Sequence, residues 1–262
     1  MGNRDGIMPR PEADTRKTLL SQGIDLVRFL AHSRNSLGVT EIAEKMELPK
    51  SSAFRLLGVL MELRFVQKNP VSQRYTISPE IFRFVHEVAH EFAPTRKLED
   101  VMIRWAQKLE CAVYLSMLSE RCTYVVSAEG PLGGTFALGS AGPVHASSAG
   151  KIIVANLPEE EWFFYQPTAQ DEKLTPYTNL DPARFRKELL AARESGVAWN
   201  LRETTLGVAS VAALVREPLH PPRMAVALLV NYEEVAVHDR VSLEVHVREL
   251  AVELSKGFRP GA

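Results

Sequence analysis

Cysteine is scarce: Cys111 and Cys122 are the only two in 262 residues, and they lack CxxC spacing. That excludes a disulfide-stapled scaffold and a cysteine-built zinc module, and both thiols are expected to be reduced and packed in a core. No stretch approaches 18 uninterrupted apolar residues, which argues against a membrane span. The opening residues, MGNRDGIMPRPEADTRK, carry both charge signs and no apolar run. They are expected to be a disordered lead-in over residues 1–17, not a signal peptide. A cytoplasmic protein with no membrane partner is expected. Charge of one sign is also missing, the formal net being −1. Its distribution is uneven: residues 1–80 hold 12 Lys and Arg against 9 Asp and Glu, and the remainder 19 against 23. A weakly basic front end on an acidic back end suits a nucleic-acid module joined to something else.

What is present is ordered punctuation. Leu19, Leu20, Ile24, Leu26, Val27, Phe29 and Leu30 recur at helical spacing over 18–31. After a polar loop, Thr40 is expected to cap a short helix through Met46. Pro49 then opens a third helix to Leu63, where a missing N–H costs nothing. Its expected buried face is Ala53, Phe54, Leu56, Leu57, Leu60 and Leu63, leaving Lys50, Ser51, Ser52 and Arg55 outward. Two strand-like runs, 65–68 and 74–77, flank a turn at 69–73. This order predicts a winged helix-turn-helix over 18–77. A linker helix is expected over 78–94.

Beyond it, over 95–262, helices and strands intersperse: a helix to Leu109, strands at 112–118 and 123–128, and a Gly-rich stretch to Gly142. Helices are expected at 147–156, 159–165 and 182–194, strands at 208–215 and 224–230, and a closing helix at 235–256. The expected class is α+β, with a largely antiparallel sheet flanked by helices.

A helix fits the major groove, and its first turns reach base edges. Arg55 suits a bidentate contact to guanine. Lys50, Ser51, Ser52 and the helix start suit phosphates. Arg74 is expected along the backbone or in the minor groove.

Three other motifs point to enzymes. His86-Glu87-Val88-Ala89-His90 is a literal HExxH, which on a helix sets two histidines one turn apart. Its metzincin extension fails, and it falls on the linker helix. Gly150-Lys151 lacks the first glycine and the Ser/Thr of a phosphate loop. Ser147 and Ser148 lie near His145 but lack a GxSxG elbow. Ser147 is instead expected to cap a helix whose free N–H groups hold a polar ligand group. No catalytic residue, metal or cofactor is expected. A winged helix that binds protein partners is a further alternative.

The segments VTEIAEKMELPKSSAFRLLGVLMELRFVQKNPVSQRYTIS, VHASSAGKIIVANLPEEE and LTPYTNLDPARFRKELLAARESGVAWNLRETTLGVASVAALV resemble, in order, the IclR family of bacterial regulators. The resemblance implies a GAF-like effector domain after the linker, a homodimer or homotetramer, and a palindromic operator. Thr40, Lys50, Ser51, Ser52, Arg55 and Arg74 are then the expected DNA-binding residues. Arg64 and Ser72 stand where that family often has glycine, so the path of the wing is expected to differ. The expected small-molecule pocket comprises Phe136, Leu138, Ser147, Ser148, Ala149, Asn200, Ser210, Leu228 and Asn231. Trp199 is expected in the core more than in that pocket. Asn200 and Ser210 align where the family often places an acid and a cysteine, and Leu228, Leu229 and Val230 where it has serines. Fewer hydroxyls and no carboxylate imply an aromatic or otherwise apolar-bodied effector.

Overall fold

A computed structural model describes residues 18–33, 35–85, 96–131, 137–216, 222–236 and 240–257. The expected lead-in, the HExxH motif, the rest of the linker helix beyond Val85, and Phe136 lie outside the described residues. The described residues divide into two compact units, 18–85 and 96–257.

In the first unit, helix α1 (Leu19–His32) starts where Thr18 Oγ1 accepts the Ser21 N–H at 3.2 Å. Helix α2 spans Val39–Lys45 and helix α3 Lys50–Glu62. Strands β1 (Val66–Lys68) and β2 (Tyr75–Ile77) pair antiparallel, Val66 facing Ile77. Leu26, Leu30, Ile42, Leu56, Leu57 and Leu60 form the core with Val66 and Tyr75.

Two expectations need correction here. Thr40 is not the cap of α2: it lies exposed inside the helix, and Gly38 is the N-cap. The capping is done by Glu41, whose Oε2 accepts the Gly38 N–H at 2.7 Å. Phe54 and Leu63 are not core residues, being 61% and 58% exposed. Ala53, Leu56, Leu57 and Leu60 already complete an i, i+3, i+4, i+7 stripe, and Phe54 points about 100° away from Ala53. Leu63 is the C-cap, where the helical face ends. Arg64 follows at φ 61°, the left-handed position glycine favours after a helix. In the wing the positive φ falls on Gln73 rather than Ser72.

Among the described residues the second unit is built on one six-stranded sheet in the order β5-β4-β3-β8-β7-β6, antiparallel at every pairing. Its strands are β3 (Ala112–Ser119), β4 (Cys122–Glu129), β5 (Ala141–Pro143), β6 (Ala198–Leu201), β7 (Val208–Val215) and β8 (Met224–Asn231). Because side chains alternate along a strand, the sheet has two buried faces. One carries Val113, Leu115, Val211, Val226 and Leu228 against helices α4 (Arg96–Leu109) and α8 (Arg240–Gly257). The other carries Tyr114, Ala212, Ala227 and Leu229 against α5 (Ser148–Ala155), α6 (Trp162–Tyr165) and α7 (Pro182–Ser195). A sheet covered on both sides explains why β7, Ser210 apart, and β8 as far as Val230 read as apolar runs.

Candidate functional sites: an exposed helix face and a serine-lined cavity

The DNA-reading residues come from one helix. Lys50, Ser51 and Arg55 are exposed on the first turns of α3, with Ser52 half-buried beside them. Among the described residues neither Lys50 nor Arg55 has a carboxylate partner, so both charges are available. Phe54, placed in the core by sequence reasoning, shares this exposed end. A helical-wheel count extended to the neighbouring hydrophobic stripe would have found it.

Arg74 is differently employed. Its Nη2 donates to Glu41 Oε2 at 2.7 Å, and its Nε donates to the Ser36 carbonyl at 2.9 Å. The same Glu41 carboxylate caps α2, and its pKa is lowered first by that Gly38 N–H and then by Arg74. Arg74 thus ties strand β2 to the start of α2.

On the α5 face of the sheet a cavity of about 60 Å³ lies between β3, β4, β7, β8 and the beginning of α5. Ser147 caps α5, its Oγ accepting the Gly150 N–H at 3.2 Å, and also bonds Thr123 Oγ1 at 3.1 Å. Across the cavity, Ser148 Oγ and Ser210 Oγ are 2.7 Å apart in a buried hydrogen bond. Asn200 donates to Thr204 Oγ1 at 2.8 Å and accepts the Glu203 N–H at 2.8 Å. Tyr114, Val125, Val208, Ala227 and Leu229 supply the apolar wall. Gly150 explains the Gly-Lys pair without phosphate: a Cβ there would lie 2.6 Å from the Val144 Cα, so only glycine lets α5 approach that loop.

Of the residues expected in the pocket, Ser147, Ser148, Ala149, Asn200 and Ser210 converge on this cavity. Leu228 does not: it faces the opposite core, and its neighbours Ala227 and Leu229 line the cavity instead. In an all-apolar strand nothing in the sequence distinguishes the two faces. Leu138 is 66% exposed in a turn, and Asn231 is exposed at the end of β8; neither lines the cavity. Trp199 packs against the other core, donating to Glu244 Oε1 at 3.0 Å. The expectation of few hydroxyls is also corrected, since Ser116, Thr123, Ser140 and Thr204 line the cavity with the three serines already named. No carboxylate is among the described lining residues.

Sequence reasoning missed the ion cluster beneath the cavity. Lys151, 2% exposed, places Nζ 2.7 and 2.8 Å from the two Glu203 carboxylate oxygens and 2.8 Å from Glu188 Oε2. Burial pushes the Glu203 carboxyl above its usual range, against the pull of the ammonium. The only sequence signal was a lysine inside an otherwise apolar helix.

His145 is buried with its Nε2 unpartnered, and burial lowers its pKa to about 4. The hydroxyls of Ser147 and Ser148 bond Thr123 and Ser210, not His145, so neither of these serines is paired with a base.

The comparisons with known proteins agree with both units. The family model of the IclR helix-turn-helix domain matches residues 19–70, and that of the bacterial transcriptional regulator IclR C-terminal domain matches 86–256. The transcriptional repressor IclR of Escherichia coli (strain K12) is 24% identical over 224 residues, covering 80% of this chain and 78% of that protein. The crystal structure of the Thermotoga maritima IclR shares the fold with TM-score 0.77 at 21% identity, over 91% of this chain and 98% of that one. An IclR homolog from Microbacterium hydrocarbonoxydans, crystallised in complex with 4-hydroxybenzoate, aligns with TM-score 0.74 at 17% identity over 92% and 99%. No described helix is long and apolar enough to cross a membrane. The chain belongs to the IclR family of bacterial transcriptional regulators, with a helix-turn-helix DNA-binding domain and a C-terminal effector-binding domain.

Proposed function

We propose that this regulator acts in the cytoplasm as a homodimer or homotetramer on a palindromic operator, and that a small effector enters the serine-lined cavity of its C-terminal unit. Arg55 reads a guanine, Lys50, Ser51 and Ser52 hold phosphates, and Phe54 packs on a thymine methyl. Thr40 adds a backbone contact from α2. Arg74 acts indirectly, by holding α2 and the hairpin in register.

The observation that carries the effector reading is the Ser147-capped start of α5 at the wall of a cavity that a buried Ser148–Ser210 bond spans. Helix N–H groups and hydroxyls suit a polar or anionic end, and Tyr114, Val125, Val208 and Leu229 suit an apolar body. An effector whose polar end competes for the Ser148 and Ser210 hydroxyls breaks their mutual bond, so that binding and a shift in conformational population are the same event.

Selection of bound sequences from random duplex DNA tests the operator. A palindrome is expected, with affinity falling steeply with salt. Arg55→Ala should flatten the preference at one base pair of each half-site. Lys50→Ala should weaken binding to all sequences alike and reduce the salt slope by about one phosphate per half-site. A partner-binding winged helix would yield no enrichment and no salt slope.

A further inference from the structure

A second cavity, a cleft of about 800 Å³, lies beside the ion cluster and is lined by residues of α7, β6 and the segment 173–181. Its carboxylates are all engaged. Glu203 and Glu188 hold Lys151. Glu244 accepts from Trp199 Nε1 and Arg248, and Asp181 caps α7 by accepting the Ala183 N–H. Two cations in the same lining are not engaged in this way: among the described residues neither Arg202 nor Lys173 has a carboxylate partner.

Arg202 is held with unusual firmness for an unpaired cation. Its guanidinium carbon lies 3.9 Å from the ring centroids of both Tyr177 and Tyr232. Its backbone is at φ 63°, where only glycine is at ease. Its Nε is buried and has no hydrogen-bond partner. Rings on both sides leave the in-plane N–H edge of the guanidinium for hydrogen bonding. A buried donor without a partner costs free energy unless something else supplies an acceptor. A guanidinium edge held in this way suits a planar or tetrahedral oxyanion, which arginine binds in bidentate fashion. Tyr177, Trp199, Leu201 and Tyr232 supply an apolar and aromatic surround.

We propose that this cleft is a second ligand site, distinct from the serine-lined cavity, which takes an aromatic organic anion, a carboxylate or a phosphate ester, anchored by Arg202 and assisted by Lys173. Its position makes it a regulatory site. Arg202 directly precedes Glu203, whose N–H is bonded to Asn200 on the cavity wall and whose carboxylate holds the helix that supplies Ser148 and Ala149. An anion that repositions Arg202 acts on that wall through a single peptide unit.

Isothermal titration of the full chain with benzoate, phenyl phosphate and the neutral isostere benzamide tests this. At least one anion should bind, and the one that binds names the headgroup; benzamide should bind at least about tenfold more weakly. Arg202→Gln should weaken the anion about tenfold or more, and Lys173→Gln, at an exposed position, about threefold. Ser210→Leu and the milder Ala227→Val, which fill the other cavity, should leave the anion bound, shifting its affinity only by the coupling between the two sites and by less than the Arg202→Gln loss. The proposal is overturned if neither anion binds, or if benzamide binds as well as they do. Loss of binding in the cavity-filling variants with retention in a folded Arg202→Gln would also overturn it, assigning the anion to the serine-lined cavity instead.

Discussion

Two helices of this chain contain the tripeptide Ser-Ser-Ala near their starts, and they end up as opposites. In α3 the serines Ser51 and Ser52 sit inside the first turn, behind a Pro49 N-cap that makes no side-chain bond. In α5 the first serine, Ser147, is itself the cap. The next residues set the two helices further apart. Phe54 and Arg55 give α3 bulk and charge that stay in solvent, whereas Gly150 lets α5 press against the Val144 backbone. Every residue of α5 from Ser148 to Ala155 is buried, Lys151 included. The lysine of α3, Lys50, is exposed and has no carboxylate partner among the described residues; that of α5 is enclosed by two carboxylates. A tripeptide does not determine the role of a helix start; the cap position and the next two side chains do.

Breaking the comparison at its two lysines gives the largest expected effect. Lys151→Met leaves Glu203 and Glu188 facing each other without their cation, and stranding a buried charge in this way costs about 3–5 kcal/mol. Lys50→Met should stay within about 0.5 kcal/mol, because it touches no such cluster. The chain's three tryptophans, Trp105, Trp162 and Trp199, all lie in the second unit, so urea titration followed by their emission reads its stability. Adding Glu203→Gln to Lys151→Met should recover part of the loss, which lost packing alone would not allow. A Lys151→Met cost below about 1 kcal/mol would show that the cluster is not a structural bond.

The order of elements was legible because local signals set it: the stripe of α3, the serine before α5, Asp181 and Pro182 at the start of α7. The short strands β5 and β6, three and four residues long, were not, since AGP and AWNL offer no periodicity to read. The candidate site was legible where it depended on a cap, as at Ser147 and Ser148, and at Ser210 only through the family resemblance. It failed where it depended on which face of a strand turns inward, as at Leu228, because MAVALLVN is apolar on both faces. The Lys151–Glu203 pair spans 52 residues, and no local pattern encodes a contact at that distance.

The residue two before the α5 cap gives the next effect, as a function of pH. His145 is held neutral by burial, with Asp171 pulling its pKa up and Arg121 and Lys151 pushing it down, and it titrates at about 4. In the unfolded chain it takes its proton near pH 6.5. Between these values the unfolded state binds more protons, so stability falls as pH drops below about 6.5 and the loss levels off near about 4. From pH 7 to pH 5 the expected loss from this residue is about 2 kcal/mol. Urea midpoints at the two pH values measure it, and His145→Asn should flatten the difference. An unchanged difference in that variant would move the effect to the carboxylates.

The caps themselves give the smallest effect and the sharpest contrast. Ser147→Ala removes the acceptor of the Gly150 N–H and one partner of Thr123. It should cost about 1 kcal/mol, toward the upper part of the range for caps because the site is enclosed. At α3 the direction reverses. Pro49 already has the extended backbone of a cap, with ψ 139°, but no side-chain oxygen to offer. Pro49→Ser supplies one for a first-turn N–H while releasing the φ restraint that proline places on the unfolded chain. The two effects are each about 1 kcal/mol and opposed, so the net should lie within about 0.5 kcal/mol of zero. Hydrogen exchange of the first α3 amides separates them: slower exchange at unchanged overall stability means the new cap forms. Unaltered exchange would mean that this helix start is left open to solvent, as a phosphate-binding end requires.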